Sequence, residues 1–336
     1  MKMSKKVFLG FMCLLFVTLS GYAGGSKENT AGTDPGKFPR KEITLICPWA
    51  PGAGADAVCR MFEKLGPKYF GRPIVVVNKA GAGGQLATVE YKVEKPDGYT
   101  ILFSSSGLFT TQPLMGEVDY KIDDFVILTG ITSDYNVLVC NSSLGVKNLK
   151  EFIDYYKKAG TTLRYGHSGT GTIPHLVQAM FYNMAGIKAE QIPFNSSAEA
   201  VPALLGGHVM AIAQGTSEMA KLIGNKNAVV LSVFGDNRST NENLKNIPTA
   251  KEEGYDISLC VWRLMLAHKG TPPEVVQTLR TGLLGIINDP EFRKFADEQG
   301  IIVDPKDEKT ALDTIATETK LAEGIFKDLK MGIFSN

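Results

Sequence analysis

The chain has 336 residues, of which 44% are hydrophobic, and it carries a formal net charge of +1. This length accommodates one large or two ordinary domains, and the hydrophobic content is enough to form well-packed cores. Acidic and basic residues are interspersed and no basic tract occurs, so we expect no nucleic-acid partner.

Residues 1–23 have the pattern of a secretory signal peptide. Three lysines within the first six residues precede the apolar run Val7–Val17, which is too short for a membrane span, and small residues lead up to Ala23. We therefore predict cleavage after Ala23, a flexible leader over 24–37, and a periplasmic protein. An uncleaved anchor or a lipoprotein is the less favoured alternative, because the sequence around Cys13 is not a convincing lipobox.

The next part of the chain alternates strand patterns with helical ones. Because every residue of 74–77 is β-branched, we expect that strand to be buried within a parallel sheet. A helix that begins near Leu149 is predicted to end at Gly160, a natural C-cap. The predicted strands of this part are 43–46, 74–77, a segment from Tyr99, 125–131 and 136–139.

The alternation then starts again and continues to the C-terminus. Strands that alternate with helices predict parallel sheets flanked by helices, and two such blocks predict an α/β protein of two lobes. The predicted strands are 163–165, 191–194, 209–213, 229–233 and 261–267. The predicted helices are a segment from about Ile173, then 198–205, 272–287, 290–299 and 309–330.

Polar or glycine-rich turns follow five of the predicted strands. The carboxyl ends of strands are where open α/β sheets bind their ligands, so these turns are the candidate binding segments. They are 48–56, 78–84, 104–107, 166–175 and 213–218.

The turn 166–175, GHSGTGTIPH, is the most informative of the five. It offers three hydroxyl groups, and its two glycines let the backbone approach a ligand closely before Pro174 enters the first helical turn. Free N–H groups at a helix start suit a small anion, although a threonine that only caps the helix is the structural alternative. With a second glycine-rich helix start at 52–54, two helix N-termini facing each other would clamp a dicarboxylate.

The stretch 47–60, CPWAPGAGADAVCR, resembles a dinucleotide-binding fingerprint but lacks one requirement. Such a fingerprint needs an acidic residue after the second strand, where this chain has Asn78 and Lys79. Asp56 at the helix start would also repel a pyrophosphate, so we expect no nucleotide and no other cofactor. Asp56 either complements the helix dipole or contacts a ligand, and both interpretations stay open.

The histidines and serines do not predict a metal site or an enzyme. No histidine spacing matches a metal motif, and we expect all four histidines to be structural or surface residues. An exported α/β hydrolase is the alternative from another class, and it would pair Ser168 with His175, or Ser106 with His175 or His167. No acidic residue is evident to orient such a base, so we expect no catalytic residue.

Several stretches, in matching order and spacing, resemble the substrate-binding proteins of tripartite tricarboxylate transporters, the TctC or Bug family. They include ITLICPWAPGAGAD, VVVNKAGAGG, KPDGYTIL, LRYGHSGTGTIPHL and NIPTAKEEGYD. The resemblance spans about residues 41–333 and implies a type II periplasmic-binding-protein fold, with two α/β lobes joined by two crossover segments. It implies capture of a small carboxylate, and a di- or tricarboxylate, an acidic amino acid and an aromatic acid are the alternatives.

The resemblance also implies partners and ligand residues. The protein would deliver its ligand to membrane permease subunits, and we expect a monomer; a receptor that feeds a sensor kinase is a further alternative. His167 stands where the family commonly has serine, and it is either a pH-sensitive carboxylate contact or a surface residue. With Ser106 from the turn 104–107, the implied ligand residues are Pro51, Gly52, Ala53, Gly54, Asp56, Ser168, Gly169, Thr170, Gly171, Thr172, His175, Asn195, Gln214, Gly215 and Thr216.

The implied fold has two crossings between its lobes. Crossings near 140–141 and 259–261 would make lobe 1 residues 38–141 plus 261–336, and lobe 2 residues 142–260. Cys140 and Cys260 would then be spatial neighbours, with a disulfide as an open alternative. We expect the other two cysteines of the mature chain, Cys47 and Cys59, to be buried free thiols.

Overall fold

The structure is a computed structural model that describes residues 38–335. The predicted signal peptide and leader lie outside the described residues. Within them, none of the helices is long and apolar enough to cross a membrane.

The described residues form ten strands, which belong to one hydrogen-bonded sheet. The strands are β1 (Ile43–Cys47), β2 (Ile74–Asn78), β3 (Thr100–Ser105), β4 (Phe125–Asn141), β5 (Leu163–His167), β6 (Ala189–Pro193), β7 (Ala211–Gly215), β8 (Ala228–Phe234), β9 (Cys260–His268) and β10 (Ile302–Val303).

Eleven α-helices lie within the same residues, and three of them are single turns. The helices are α1 (Gly54–Phe70), α2 (Gln85–Tyr91), α3 (Gly107–Thr110), α4 (Gln112–Met115), α5 (Leu149–Ala159), α6 (Ile173–Met184), α7 (Ser197–Leu205), α8 (Thr216–Met219), α9 (Pro273–Ile287), α10 (Pro290–Gln299) and α11 (Glu308–Leu329). As predicted, α5 ends at Gly160, whose left-handed φ of 64° lets its N–H bond to Tyr156.

The strand order is β2-β1-β3-β9-β4-β7-β5-β6, with β8 and β10 also paired to β4. The strands β1–β3 are mutually parallel, and so are β5–β7, whereas β9 runs antiparallel to both of its neighbours. We call the side of β1–β3, β9 and β10 the first lobe, and the side of β5–β8 the second lobe. The parallel arrangement predicted from the sequence therefore holds within each triplet and ends at β9.

The strand β4 belongs to both lobes, and this corrects the prediction of two separate strands, 125–131 and 136–139. Its residues up to Tyr135 pair with β9, whereas those from Asn136 onward pair with β7 and β8. The polar segment between the predicted strands continues the ladder instead of turning. Three of its hydrogen-bonding side chains, Thr132, Ser133 and Asp134, are buried at this change of partner, and so is the next polar residue, Asn136.

The pairing of β4 also overturns the prediction that Cys140 and Cys260 are neighbours. Cys260 pairs with Tyr135, whereas Cys140 pairs with Ala211 of β7. Tyr135, which faces Cys260, and Cys140 are five residues apart on β4, which at about 3.3 Å per residue is roughly 16 Å. This distance is well beyond the ~7 Å limit for a disulfide. All four described cysteines are free thiols, and Cys47 and Cys59 are buried as predicted.

The strand β2 is less buried than its composition predicts. It lies at the end of the strand order, so only one of its edges is paired, and the side chains of Val75 and Val77 are exposed. A run of β-branched residues thus indicated a strand correctly, but it did not distinguish an edge strand from a central one.

The core of the first lobe depends on close packing of α9 against α1. The aromatic ring of Phe62 on α1 meets that of Phe292 on α10 edge-on, with centroids 5.5 Å apart. On α9, a Cβ atom at Gly282 would overlap the ring of Phe70, and one at Gly285 would overlap the ring of Tyr69. Glycine at these two helical positions therefore makes room for the end of α1.

We predict that Gly282→Ala destabilises the protein although alanine is the better helix former. The new methyl group overpacks the α1–α9 contact, at a cost of about 1–3 kcal/mol, which exceeds the gain of roughly 0.5–1 kcal/mol from helix propensity. Chemical denaturation of both proteins measures the difference in the free energy of unfolding.

The matched control is Gly324→Ala in α11, where a Cβ atom would meet nothing within 4 Å. We expect this variant to be more stable than the wild type by about 0.5–1 kcal/mol. Equal effects of the two substitutions would contradict the packing role of Gly282.

Candidate functional site

A cleft between the lobes is lined by the turns that follow β1, β5 and β7 and by the last residue of β3. It holds about 520 Å³ of empty space, part of which is open to solvent. The first residues of α1 and of α6 both line it, so two helix N-termini meet there as predicted. The lining residues are Trp49, Ala53, Gly54, Ala55, Ser105, Ser168, Thr172, Ile173, Pro174, Ser197, Gln214, Gly215, Glu218, Val261 and Arg263.

Asp56 holds the first loop against its own helix. One carboxylate oxygen accepts the N–H of Gly52 at 2.9 Å, and the other accepts from the side chains of Asn78 at 2.9 Å and Arg60 at 3.2 Å. Gly52 has a φ of 84°, a left-handed conformation that glycine adopts at little cost. Since both oxygens of the buried Asp56 are engaged within the first lobe, the geometry favours the capping interpretation over a ligand contact.

His167 and His175 are stacked behind the second loop, with ring centroids 4.3 Å apart. Both are buried; Nδ1 of His167 accepts the N–H of Gly169 at 3.3 Å, and Nδ1 of His175 accepts that of Gly171 at 3.1 Å. His167 is thus neither a surface residue nor a carboxylate contact, because its Nε2 bonds to Gln191 at 2.8 Å. The pair supports the loop from inside the second lobe.

Burial keeps both imidazoles neutral. It lowers the pKa of His167 to about 4, against which its two hydrogen bonds act weakly. It lowers the pKa of His175 to about 3, and the neighbouring His167 adds to the effect. A neutral ring is required for Nδ1 to accept a loop N–H, so protonation of either ring removes a hydrogen bond that shapes the loop.

The second loop also closes against the first lobe. A Cβ atom on Gly169, which has a φ of 125°, would lie 2.5 Å from Cα of Gly83 in the turn after β2. The hydroxyl of Thr111 donates to the carbonyl of Gly171, and the amide of Gln112 donates to the carbonyl of Gly83 at 2.9 Å. Gly169 and Gly171 therefore contact the first lobe and do not line the cleft.

Arg263 on β9 brings a positive charge into the cleft. Its side chain is 9% exposed, and its Nη1 lies 3.5 Å from Oδ2 of Asp134. That nitrogen is buried and makes no hydrogen bond with any described residue, and the same is true of Nε2 of Gln214. Both residues line the cleft, and Nη1 of Arg263 is directed at the carboxylate of Asp134.

Asp134 connects the two lobes beneath Arg263. Its Oδ1 accepts from the backbone N–H of Thr216 at 3.0 Å and from its hydroxyl at 2.5 Å. Burial raises the pKa of Asp134, while Arg263 and the two bonds from Thr216 act in the opposite direction. The acid thus needs a partner from each lobe to stay ionised.

Glu218 on α8 reaches across the cleft to the start of α1. Its Oε1 accepts the N–H of Gly54 at 2.5 Å and the hydroxyl of Ser197. Burial raises the pKa of Glu218, and these two bonds together with the charge of Arg263 counteract it. A carboxylate of the second lobe therefore lies at a helix N-terminus of the first.

Comparison with known proteins agrees with the geometry of the cleft. A family model described as the tripartite tricarboxylate transporter family receptor, TctC, matches residues 58–331. The chain belongs to this receptor family. It is 29% identical to the protein BugT of Bordetella pertussis over 269 residues, which cover 79% of this chain and 80% of BugT.

Solved structures confirm the expected two-lobed periplasmic-binding-protein fold of the receptor. The periplasmic binding protein BugD matches with a TM-score of 0.83 and 25% identity, covering 88% of this chain and 99% of BugD. A second solved structure, of a periplasmic transporter, matches with a TM-score of 0.81 and 28% identity, covering 87% and 98% of the two chains. Two further solved structures with this fold, each 23% identical to this chain, are Rpa4515 of R. palustris with adipate and MatC of Rhodopseudomonas palustris with bound malate.

The structure brings part of the predicted site to the lining of the cleft. Six of the implied ligand residues line it, namely Ala53, Gly54, Ser168, Thr172, Gln214 and Gly215. None of the other ten lines it: some hold a loop or join the two lobes, and some are buried behind the cleft or exposed beside it. They are Pro51, Gly52, Asp56, Ser106, Gly169, Thr170, Gly171, His175, Asn195 and Thr216.

Two charged residues of the receptor's cleft were not among the predicted site residues. Glu218 ends one of the predicted binding turns, and Arg263 lies within an apolar strand pattern. A charged side chain inside a buried strand is rare unless it is paired, so the position of Arg263 was a usable signal. Its partner Asp134 lies in a segment that the sequence patterns did not assign to any strand.

We predict that the receptor loses stability as the pH falls from about 6.5 toward 4. In that interval the unfolded chain protonates His167 and His175, whose ordinary pKa is 6.5, whereas the folded chain does not. The unfolded state then binds more protons, so the free energy of unfolding decreases by up to about 1.4 kcal/mol per pH unit for each group. Urea denaturation at pH 7.5, 6 and 5 measures this slope.

Replacement of one imidazole should flatten the pH dependence. We expect His175→Gln to reduce the slope between pH 6 and 5, since one of the two groups no longer titrates. The control is His208→Gln, at an exposed histidine of the same lobe, which should keep the wild-type slope. An unchanged slope in His175→Gln would show that the buried pair does not govern acid stability.

Proposed function

We propose that this receptor captures a small carboxylate between its two lobes and delivers it to the permease subunits of a tripartite tricarboxylate-type transporter. One observation carries the proposal: the N-termini of α1 and α6 and the guanidinium of Arg263 line the same cleft. Each helix start contributes the positive end of a dipole, and in α1 the N–H of Gly54 is already bonded to Glu218. Arg263 adds a permanent charge and a donor geometry that matches a carboxylate.

The strength of these contacts suits reversible capture. A hydrogen bond to a charged group contributes about 1.5–3 kcal/mol. A few such bonds, less the costs of desolvation and lobe closure, correspond to a micromolar-class affinity of about −8 kcal/mol. The contacts of Thr111 with Gly171 and of Glu218 with Gly54 join the lobes, which supports closure of the two lobes around a ligand.

The hydrolase alternative finds no support in the same residues. His175 uses its Nδ1 to accept from Gly171, and no hydrogen bond joins it to Ser168 among the described residues. Ser106 is fully buried and does not line the cleft. The expected lack of enzymatic activity, the cleavage after Ala23, the monomeric state and the lobe boundaries stay predictions of this proposal.

The test is binding of carboxylates to the mature protein before and after Arg263→Gln. We expect at least one member of a panel of mono-, di- and tricarboxylates, amino acids and aromatic acids to raise the melting temperature. Loss of the guanidinium should weaken that ligand about ten- to a hundredfold in calorimetry, as expected for one or two charge-assisted hydrogen bonds.

Two further variants make the result interpretable. Arg263→Lys keeps the charge beside Asp134 and should retain part of the affinity, whereas Arg238→Gln removes an exposed arginine and should bind as the wild type does. The proposal fails if no carboxylate binds, or if Arg263→Gln binds the ligand unchanged.

A further inference from the structure

A carboxylate of the protein itself occupies the N-terminus of α1. Gly54 is the first residue of that helix, so its N–H has no partner within the helix. Glu218 supplies the missing acceptor at 2.5 Å and is held in place by the hydroxyl of Ser197. A Cβ atom at Gly54 would lie 3.1 Å from both Cδ and Oε1 of Glu218, so the absence of a side chain there permits the close approach.

The other end of the cleft has a buried donor without an acceptor beside a buried positive charge. Nε2 of Gln214 makes no hydrogen bond with any described residue, and Nη1 of Arg263 is 3.5 Å from Oδ2 of Asp134, its ion-pair partner. Both residues are more than nine-tenths buried, and both line the cleft with Ser168 and the start of α6. One carboxylate position of the cleft is therefore taken by Glu218, whereas at the other the amide of Gln214 has no acceptor among the described residues and the charge of Arg263 is shared with Asp134.

The charges of the cleft disfavour a ligand with two carboxylates. When ionised, Arg263, Asp134 and Glu218 sum to a charge of −1, so a dicarboxylate would bring the total to −3. A ligand that carries one carboxylate and one ammonium group leaves the total at −1. Its ammonium group would also offset the burial of Glu218, whose pKa is raised by that burial.

We propose that Glu218 takes the place of a second ligand carboxylate, so that this receptor selects a small acid with a single carboxylate and an ammonium group. The carboxylate lies at Arg263, Gln214 and the start of α6, and the ammonium group faces Glu218. The inference rests on the proposed function and narrows its ligand class. It replaces the dicarboxylate clamp that the two helix N-termini suggested in the sequence.

Calorimetry with matched ligands tests this selection on the mature protein. At each of three chain lengths, the set contains a plain monocarboxylate, its ω-amino derivative and the dicarboxylate, such as butyrate, 4-aminobutyrate and succinate; neutral α-amino acids are added. We expect the wild type to bind an amino carboxylate at least tenfold more tightly than the dicarboxylate of the same length.

Substitution of Glu218 should reverse the preference. Glu218→Ala vacates the N-terminus of α1, so the dicarboxylate should gain at least tenfold in affinity and the amino carboxylate should lose at least tenfold. Glu218→Gln keeps the shape without the charge, and the ratio of the two affinities should move in the same direction. Glu190→Gln, at an exposed acid on β6, is the control and should keep the wild-type ratio.

The outcomes separate this inference from the proposed function. A wild type that prefers dicarboxylates, or an unchanged ratio in both Glu218 variants, would overturn the inference and leave carboxylate capture intact. If no carboxylate of any kind binds the wild type, both fall. If Glu218→Ala does not fold, Glu218→Gln alone decides between the same results.

Discussion

The arrangement of the cleft depends on a single strand, β4, whose 17 residues pair with the first lobe and then with the second. The change of partner falls between Tyr135 and Asn136, one residue after Asp134. Asp134 is therefore placed where both lobes can reach it, and it receives Arg263 from one side and Thr216 from the other. A buried acid requires such partners, because an unpaired charge in the interior is costly.

This change of partner along β4 also sets the positions of the charged residues that line the cleft. Arg263 is positioned by the pairing of β9 with β4, and α8, which carries Glu218, begins directly after β7, another partner of β4. The two charged residues that line the cleft are thus positioned by neighbouring ladders of the same strand. Rigid strands place charges more precisely than loops do, and this is the arrangement that selective binding requires.

The sequence predicted most elements because their apolar periodicity is local. The helices 272–287 and 290–299 and the strands near 43 and 261 were placed to within about two residues, and the binding turns lie where the rule for strand ends puts them. Features that depend on distant pairing could not be predicted in this way. The continuity of β4 through Thr132–Asp134, the edge position of β2 and the separation of Cys140 from Cys260 are all set by partners far away in the chain.

The same distinction between local patterns and distant partners explains which residues of the cleft could be predicted from the sequence. Glycines and hydroxyls at a helix start can be recognised in a short stretch of sequence, and Gly54, Ser168 and Thr172, which were singled out in this way, line the cleft. Gly169 and His175 were predicted to contact the ligand because their neighbours are recognised only in the folded loop. Gly169 packs against Gly83, whereas His175 accepts a hydrogen bond from Gly171 and stacks on His167.

A helix N-terminus in a cleft is therefore insufficient evidence of a ligand position. The N–H groups of α1 require an acceptor whether or not a ligand is present, and a side chain from the facing lobe can supply it. In this receptor Glu218 does so, and the start of α6, Arg263 and Gln214 are further donor groups that line the cleft. The selectivity of such a cleft depends on how many of its hydrogen-bond donors already have an acceptor within the protein. Each donor that has one leaves one position fewer for an anionic group of the ligand.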